Sequence, residues 1–213
     1  MTMFDIALRR WKDSLADPVA RIIPNWISPT QVTGAAFVAG LLACFTAATS
    51  VSNALAVSLW AANRLLDSVD GSLARHRKVA SDLGGFLDLL SDFIIYSMLP
   101  VAIAYGQDKG LYHIDWVSVA TLEATFHVNN FILFYSAAMA AQKDDQELTS
   151  VTMRPALIEG FESGLLFTAM LIWPQYINTW ARIMSVGVVI GIFQRTLAVV
   201  TVLGSKAVAQ KLQ

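Results

Sequence analysis

Residues 29–50 carry no charged side chain, and a stretch of that length and character has few structural options. About 20 mostly apolar residues in a helix cross the hydrocarbon core of a bilayer. Inside that core only a helix or a closed barrel satisfies its own backbone hydrogen-bonding groups. Five further candidate stretches follow, at 53–74, 83–105, 114–141, 155–173 and 178–203. Composition agrees with this reading: only 15% of residues are charged and 55% are hydrophobic, against about 25% charged in a soluble domain. An ordinary water-soluble enzyme is therefore excluded, and so is a disordered chain, which needs low hydrophobicity. The net charge of -1 gives no reason to expect nucleic acid as a partner. A lone cysteine, Cys44, allows neither an intramolecular disulfide nor a cysteine-based zinc site. The expected fold is all-α and integral to the membrane: one domain over 1–213, with a six-transmembrane-helix bundle at 29–203.

The segment at 1–22 has a different pattern. Phe4, Leu8, Trp11 and Leu15 recur at helical spacing, with Asp5, Arg9, Arg10 and Lys12 between them. This predicts an N-terminal amphipathic helix lying in the membrane interface; the alternative is a helix packed on the protein's own surface. A cleavable signal peptide is not expected, because the basic residues follow the apolar start and no small-residue cleavage site appears. Basic residues cluster before the first stretch (Arg9, Arg10, Lys12, Arg21), between the second and third (Arg75, Arg77, Lys78), between the fourth and fifth (Lys143, Arg154) and after the sixth (Lys206, Lys211). The other side holds little beyond Lys109 and Arg182. The positive-inside rule then places both termini in the cytoplasm, in the inner membrane if the source is bacterial.

Four aspartates interrupt the apolar pattern. Asp67 and Asp70 are three residues apart and share a helix face; Asp88 and Asp92 are four apart and share another. Both pairs lie at the cytoplasmic ends of consecutive spans, so antiparallel packing would bring them to one depth. Ionisable groups in a membrane segment usually face a bundle interior or a wet cavity. Four converging carboxylates repel one another unless cations intervene. Oxygen-only ligands favour a hard divalent ion such as magnesium, manganese or calcium, and two ions suit four carboxylates. The competing reading pairs these aspartates with Arg64, Arg75, Arg77 and Lys78 as structural ion pairs. Small residues continue both faces (Gly71 and Ala74; Gly84 and Gly85). They let helices approach closely, or they leave room for a ligand beside the carboxylates.

Read continuously, the segment is Asp67-x-x-Asp70-Gly71-x-x-Ala74-Arg75, eight residues, then Gly84-x-x-x-Asp88-x-x-x-Asp92. It resembles the signature of the CDP-alcohol phosphotransferase (CDP-alcohol phosphatidyltransferase) family, with every motif position matched. The stretch Pro24-Asn25-x-Ile27-Ser28 and the six-span layout look like the family as well. The resemblance implies a metal-dependent membrane transferase of phospholipid synthesis. Such an enzyme moves a substituted phosphate from a CDP-linked donor to an alcohol and releases CMP. It implies that Asp67, Asp70 and Asp88 hold magnesium or manganese, and that Asp92 is the general base and touches a metal too. Gly71, Ala74, Arg75 and Gly84 would then form the nucleotide pocket, with Asn63, Ser81, Thr30 and Thr33 as further donor-binding candidates. Each of these last four suits a helix cap or an interhelical hydrogen bond equally well.

The acceptor is to be read from the second half of the chain. The fourth stretch, from Thr125 through Tyr135, has no Lys or Arg, while Glu159 and Glu162 share a face of the fifth. Two acids repel a phosphate and attract an ammonium, and Phe126, Tyr135 and Phe161 could add cation–π contacts. Glu159 and Glu162 are thus acceptor-binding candidates for a neutral or amine-bearing alcohol. Their structural alternative is pairing with Arg64, Arg154 or Arg195. Gly187-x-x-x-Gly191 suits helix packing or a homodimer seam. The short chain favours CDP-diacylglycerol as donor, by family analogy. A CDP-choline or CDP-ethanolamine type of transferase acting on diacylglycerol is the alternative. A divalent-cation transporter is the rival from another class, disfavoured because all four aspartates lie at one membrane face.

Overall fold

In a computed structural model of the chain, residues 18–109, 112–141 and 160–211 are described. The described residues contain helices and no strand. The helices are α1 (Pro29–Thr49), α2 (Asn53–His76), α3 (Asp82–Asp108), α4 (Trp116–Ala141), α5 (Gly160–Ile172) and α6 (Ile177–Lys211), with a short 3-10 turn at Pro174–Tyr176 before α6.

Local sequence explains where the first three begin. Ser28 and Gln31 form a reciprocal capping box at the start of α1: the Gln31 N–H donates to the Ser28 hydroxyl at 3.2 Å, and the Ser28 N–H donates to Gln31 Oε1 at 2.8 Å. Pro29 occupies the first turn, where its missing N–H has no intrahelical partner to lose. Ser50 ends α1 in the left-handed region, at φ 53°. Ser52 then caps α2 by accepting from the Leu55 N–H, so α1 and α2 are joined by a minimal turn. Ser81 caps α3 by accepting from the Gly84 N–H at 3.1 Å.

Two compact units can be told apart. The first contains α1, α2, α3 and Phe167–Ile177. Within it, α1 packs closely against both α2 and α3. Small residues make this possible: Ala36 and Ala43 are buried, and a Cβ added to Gly40 would stand 2.8 Å from Ile95 and 3.0 Å from Asn63. α2 and α3 are not in similarly close backbone contact. They face each other through long side chains, Trp60 and Tyr96 having ring centroids 6.1 Å apart. Phe167 meets both rings, and the Trp60 indole N–H donates to Thr168 Oγ1 at 2.9 Å. α1 carries the small residues that permit close backbone approach, while α2 and α3 meet through longer side chains, with Arg64 of one reaching Asp92 of the other at 2.6 Å.

The second unit holds the described residues of Asp115–Leu166 and Asn178–Gln213. Asp115 starts α4 by accepting from the Val117 and Ser118 N–H groups. Arg182 of α6 reaches the same carboxylate at 2.6 Å. The Ser118 hydroxyl and the Arg182 guanidinium together hold the Asp115 acid down at about 2. Further along, Arg195 donates to Asn129 Oδ1 at 2.8 Å. Gly187 and Gly191 are buried within the chain, which assigns them to packing inside the protomer and removes them as support for a dimer seam.

Among the described residues, three helical stretches are long and apolar enough to cross a membrane: Pro29–Thr49, Asp82–Asp108 and Pro174–Thr201. α2 and α4 have comparable length but carry more polar groups: Asn63, Arg64, Asp67 and Asp70 in α2, Glu123, His127, Asn129 and Asn130 in α4. The described part of α5 has 13 residues. Of the expected interfacial segment, residues 1–17 lie outside the described residues. Residues 18–22 are helical, and Ala20 is buried against Val32, Val69 and Leu73, so this end packs on the protein itself.

Candidate functional site

Within the first unit, the N-terminal turns of α1, the last turns of α2 and the first turns of α3 enclose a cleft of about 550 Å³. Twelve positions expected from the sequence can be placed against it or beside it. Asp70, Gly71, Ala74, Arg75, Ser81, Gly84, Asp88, Thr30 and Thr33 line the cleft. Asn63 does not. Its amide donates to the Ala36 carbonyl at 2.8 Å and its Oδ1 accepts from Arg64 Nε at 2.7 Å, which ties α2 to α1 at Gly40. Asp67 and Asp92 are also outside the lining.

The glycines decide between close packing and room for a ligand. A Cβ at Gly85 would meet nothing within 4 Å, one at Gly84 only the Ser81 hydroxyl of its own cap, and one at Gly71 only Arg75 Nη1 at 3.2 Å. None of the three is pressed against another helix, so their missing side chains keep the cleft open. Close helix packing falls instead to Gly40 and Gly106, the latter only 2.1 Å from the Ala47 carbonyl oxygen by the same measure.

Asp70 is 4% exposed, and its Oδ2 is buried without a hydrogen-bond partner. The neighbouring Thr33 hydroxyl donates to the Pro29 carbonyl. Asp67 and Asp88, from different helices, come within hydrogen-bonding reach of each other. Two carboxylates so placed need a proton or a cation between them. The donor set is therefore chemically suited to a hard divalent ion, and the orphaned Asp70 oxygen offers it a ligand. The four aspartates do not form a ready cage, however: among the described residues no three acid, imidazole or thiol side chains stand close enough to hold an ion as they are. Arg64 engages two of them. Its Nη2 lies 2.6 Å from Asp92 Oδ1 and its Nη1 3.7 Å from Asp67 Oδ2, so these two carboxylates turn toward a guanidinium. The structural ion pairs anticipated for the aspartates are thus realised at Arg64 for Asp67 and Asp92.

Gly85, one of the small residues expected to leave room for a ligand, lines the cleft too, and so do Arg77, Asn25 and Ser28, which sequence reasoning did not assign there. Arg77 donates to the carbonyls of Ile27, Ile23 and Pro24 and so fixes the segment that leads into α1. Asn25 and Ser28 belong to the Pro24–Ser28 stretch whose pattern was noticeable; nothing in the sequence marks Arg77. Glu159 and Arg154 lie outside the described residues. Glu162 sits half-buried in the first turn of α5.

Comparison with known proteins places these observations. Residues 21–193 match the family described as CDP-alcohol phosphatidyltransferase. The chain is 33% identical over 154 residues to the inner membrane protein YnjF of Escherichia coli (strain K12), covering 70% of this chain and 72% of that protein. It is 32% identical over 88 residues to the bifunctional IPC transferase and DIPP synthase of Thermococcus kodakarensis, covering 41% of this chain but only 20% of that longer protein. In fold it is similar to Mycobacterium tuberculosis phosphatidylinositol phosphate synthase (PgsA1). The TM-score is 0.70 at 19% identity with the structure in complex with manganese and citrate, covering 86% of this chain and 88% of that one. It is 0.69 at 18% identity with the structure that has CDP-DAG bound, covering 90% and 94%.

Proposed function

The chain belongs to the CDP-alcohol phosphatidyltransferase family, and on that premise we propose that it transfers a substituted phosphate from CDP-diacylglycerol to an alcohol, releasing CMP. The observation that carries this reading is the cleft, which gathers Asp70, Gly71, Ala74, Arg75, Gly84 and Asp88 from two helices. These are six of the eight motif positions, brought together with open space where their side chains are smallest. A CDP-DAG-bound neighbour of the same fold supports the lipid as donor. An integral membrane location follows from the apolar helices and from the named inner membrane relative; six spans with both termini cytoplasmic complete the proposed layout.

In the proposed site Gly71, Ala74 and Gly84 make room for the cytidine, with Thr30, Thr33 and Ser81 at its edge. Arg75 faces the pyrophosphate, since a planar guanidinium can give paired hydrogen bonds to phosphate oxygens. Asp67, Asp70 and Asp88 would hold magnesium or manganese, two ions being the proposed number, with Asp92 within their reach. When bound, such ions neutralise the pyrophosphate and orient the leaving group; manganese in the PgsA1 structure supports the class of ion. The acceptor oxygen forms a new bond to the phosphorus that carries diacylglycerol. The bond from that phosphorus to CMP breaks, and Asp92 takes the acceptor's proton.

The acceptor is proposed to be an uncharged or amino alcohol, with Glu159 and Glu162 as its candidate binding residues. Of Arg64 and Arg154, either of which could instead bind a phosphorylated acceptor, only Arg64 is among the described residues. Its N–H groups are committed to Asn63, Tyr96 and Asp92, which supports the uncharged or amino class. A homodimer remains part of the proposal on family analogy alone. Labelled CDP-diacylglycerol offered with a panel of alcohols tests the whole reading: CMP release dependent on one alcohol is expected. Absence of CMP with every alcohol, alongside cation flux in vesicles, would replace it with a transporter.

A further inference from the structure

Arg64 is held more completely than any ordinary surface cation. Its Nε donates to Asn63 Oδ1 at 2.7 Å, its Nη1 to the Tyr96 hydroxyl at 2.7 Å and its Nη2 to Asp92 Oδ1 at 2.6 Å. The guanidinium carbon lies 4.8 Å from the Trp60 ring centroid and 5.0 Å from that of Tyr96. Its side chain is 22% exposed. Every corner of the fork is thus anchored on a different residue, and two neighbouring aromatic rings lie within 5.0 Å of its central carbon. A lysine can supply the charge of such a group but not its geometry.

This cation stands beside two of the four aspartates and is part of the chain. We propose that Arg64 is a positioning residue: it fixes the orientation of the Asp92 carboxylate and occupies the cationic role at Asp67 and Asp92, so that the site binds its divalent ion less tightly than four free aspartates would. The inference rests on the reading of the aspartates as ion ligands and of Asp92 as base. Its two parts separate physically. The charge acts through space on ion affinity, since a positive group close to the ligands opposes a second positive charge there. The fork acts through hydrogen bonds on the direction of Asp92, and a carboxylate free to rotate is out of line for proton transfer much of the time.

Two variants of the full chain in detergent micelles separate the charge from the fork. Mn2+ binding is followed by the electron paramagnetic resonance signal of the free ion, and turnover by CMP release. Arg64→Gln removes the charge; Mn2+ is expected to bind about tenfold more tightly, while kcat falls at least about tenfold as orientation is lost. Arg64→Lys keeps the charge without the fork; Mn2+ affinity is expected to stay within about twofold of wild type. Its kcat should fall about as far as in the glutamine variant, with little change in KM for CDP-diacylglycerol. A merely structural arginine would leave ion affinity unchanged or weaken it, and that result for Arg64→Gln overturns the charge role. Full turnover in Arg64→Lys overturns the orienting role. If Arg64→Gln does not fold, Arg64→Lys still decides the orienting role, and a drop in its Mn2+ affinity overturns the charge role. Failure of the underlying reading shows elsewhere, as wild-type protein that neither binds Mn2+ nor releases CMP.

Discussion

Gly106 of α3 lies against the end of α1 so closely that an added Cβ would stand 2.1 Å from the Ala47 carbonyl oxygen and 2.7 Å from the Ser50 hydroxyl. Both obstacles belong to the turn that closes α1, where Ser50 already adopts a left-handed backbone and donates its N–H to that same Ala47 carbonyl. Neither can move without opening the α1–α2 connection. Gly106→Ala is therefore expected to destabilise the protein by about 1–3 kcal/mol or more, the usual cost of overpacking a tight contact. Gly34→Ala is the control, because a Cβ there meets nothing within 4 Å. Thermal unfolding in detergent checks this: a Gly106→Ala midpoint equal to that of the control would show that α1 and α3 are not clamped here.

Gly71 should behave in the opposite way. Its missing side chain faces the cleft, with only Arg75 Nη1 nearby. Gly71→Leu is expected to leave the melting temperature close to wild type while lowering affinity for a CDP donor by at least about tenfold, some 1.4 kcal/mol. Isothermal titration with CDP-diacylglycerol in micelles reads the binding. A folded variant with unaltered affinity would move the nucleotide out of this cleft.

Much of the site could be read directly from residue spacing. Asp70, Gly71 and Ala74 recur at helical intervals, and the structure carries all three onto the wall of one cleft with Gly84 and Asp88. Spacing along one helix is a local property, so it survives folding. What was not legible depends on other helices. Asn63 shares the helical face of Asp67, yet the Ala36 carbonyl of α1 captures its amide. Arg77 lies in a basic loop, and only the folded path of residues 23–27 shows that it anchors three carbonyls there. α2 and α3 also meet through Trp60 and Tyr96, whose rings are tilted by 55°, and no periodicity along either helix encodes that meeting.

Ion dependence follows from Asp67 and Asp88 standing within hydrogen-bonding reach beside the orphaned Asp70 oxygen. Two unit charges about 4 Å apart repel by about 4 kcal/mol at an effective dielectric of about 20, which a bound divalent cation converts into attraction. Excess chelator is expected to abolish CMP release, and magnesium or manganese to restore it. Undiminished turnover in chelator would remove the ions from the site.

Asp92 is expected to matter for turnover rather than for donor binding. It lies outside the cleft lining, so Asp92→Asn should leave CDP-diacylglycerol affinity nearly intact. An amide keeps the shape but cannot take the acceptor's proton, and the rate should drop at least about a hundredfold. Asp70→Asn, in the cleft wall, should weaken ion and donor binding together. Single-turnover kinetics with pre-bound donor distinguish the two, and near-normal turnover in Asp92→Asn would withdraw its assignment as base.

Acceptor choice is the prediction most exposed to the arginines. A phosphorylated alcohol needs a cation to meet it, and the two arginines of α2 lie in different surroundings. Arg64 is spent on Asn63, Tyr96 and Asp92, whereas Arg75 lines the cleft and is assigned to the donor pyrophosphate. That assignment leaves Glu162, half-buried in the first turn of α5, to set the charge preference of the acceptor. A charge interacts more strongly with a ligand charge where the surroundings are less polar than water. An uncharged or amino alcohol is therefore expected to outrun glycerol phosphate and inositol phosphate in a competition assay. Glu162→Gln should raise KM for the acceptor by about tenfold, equivalent to about 1.4 kcal/mol, with a smaller change for the donor. If a phosphorylated alcohol gives the highest rate, Arg75 is serving the acceptor as well as the donor, and Glu162 reverts to a structural partner within α5 and its neighbours.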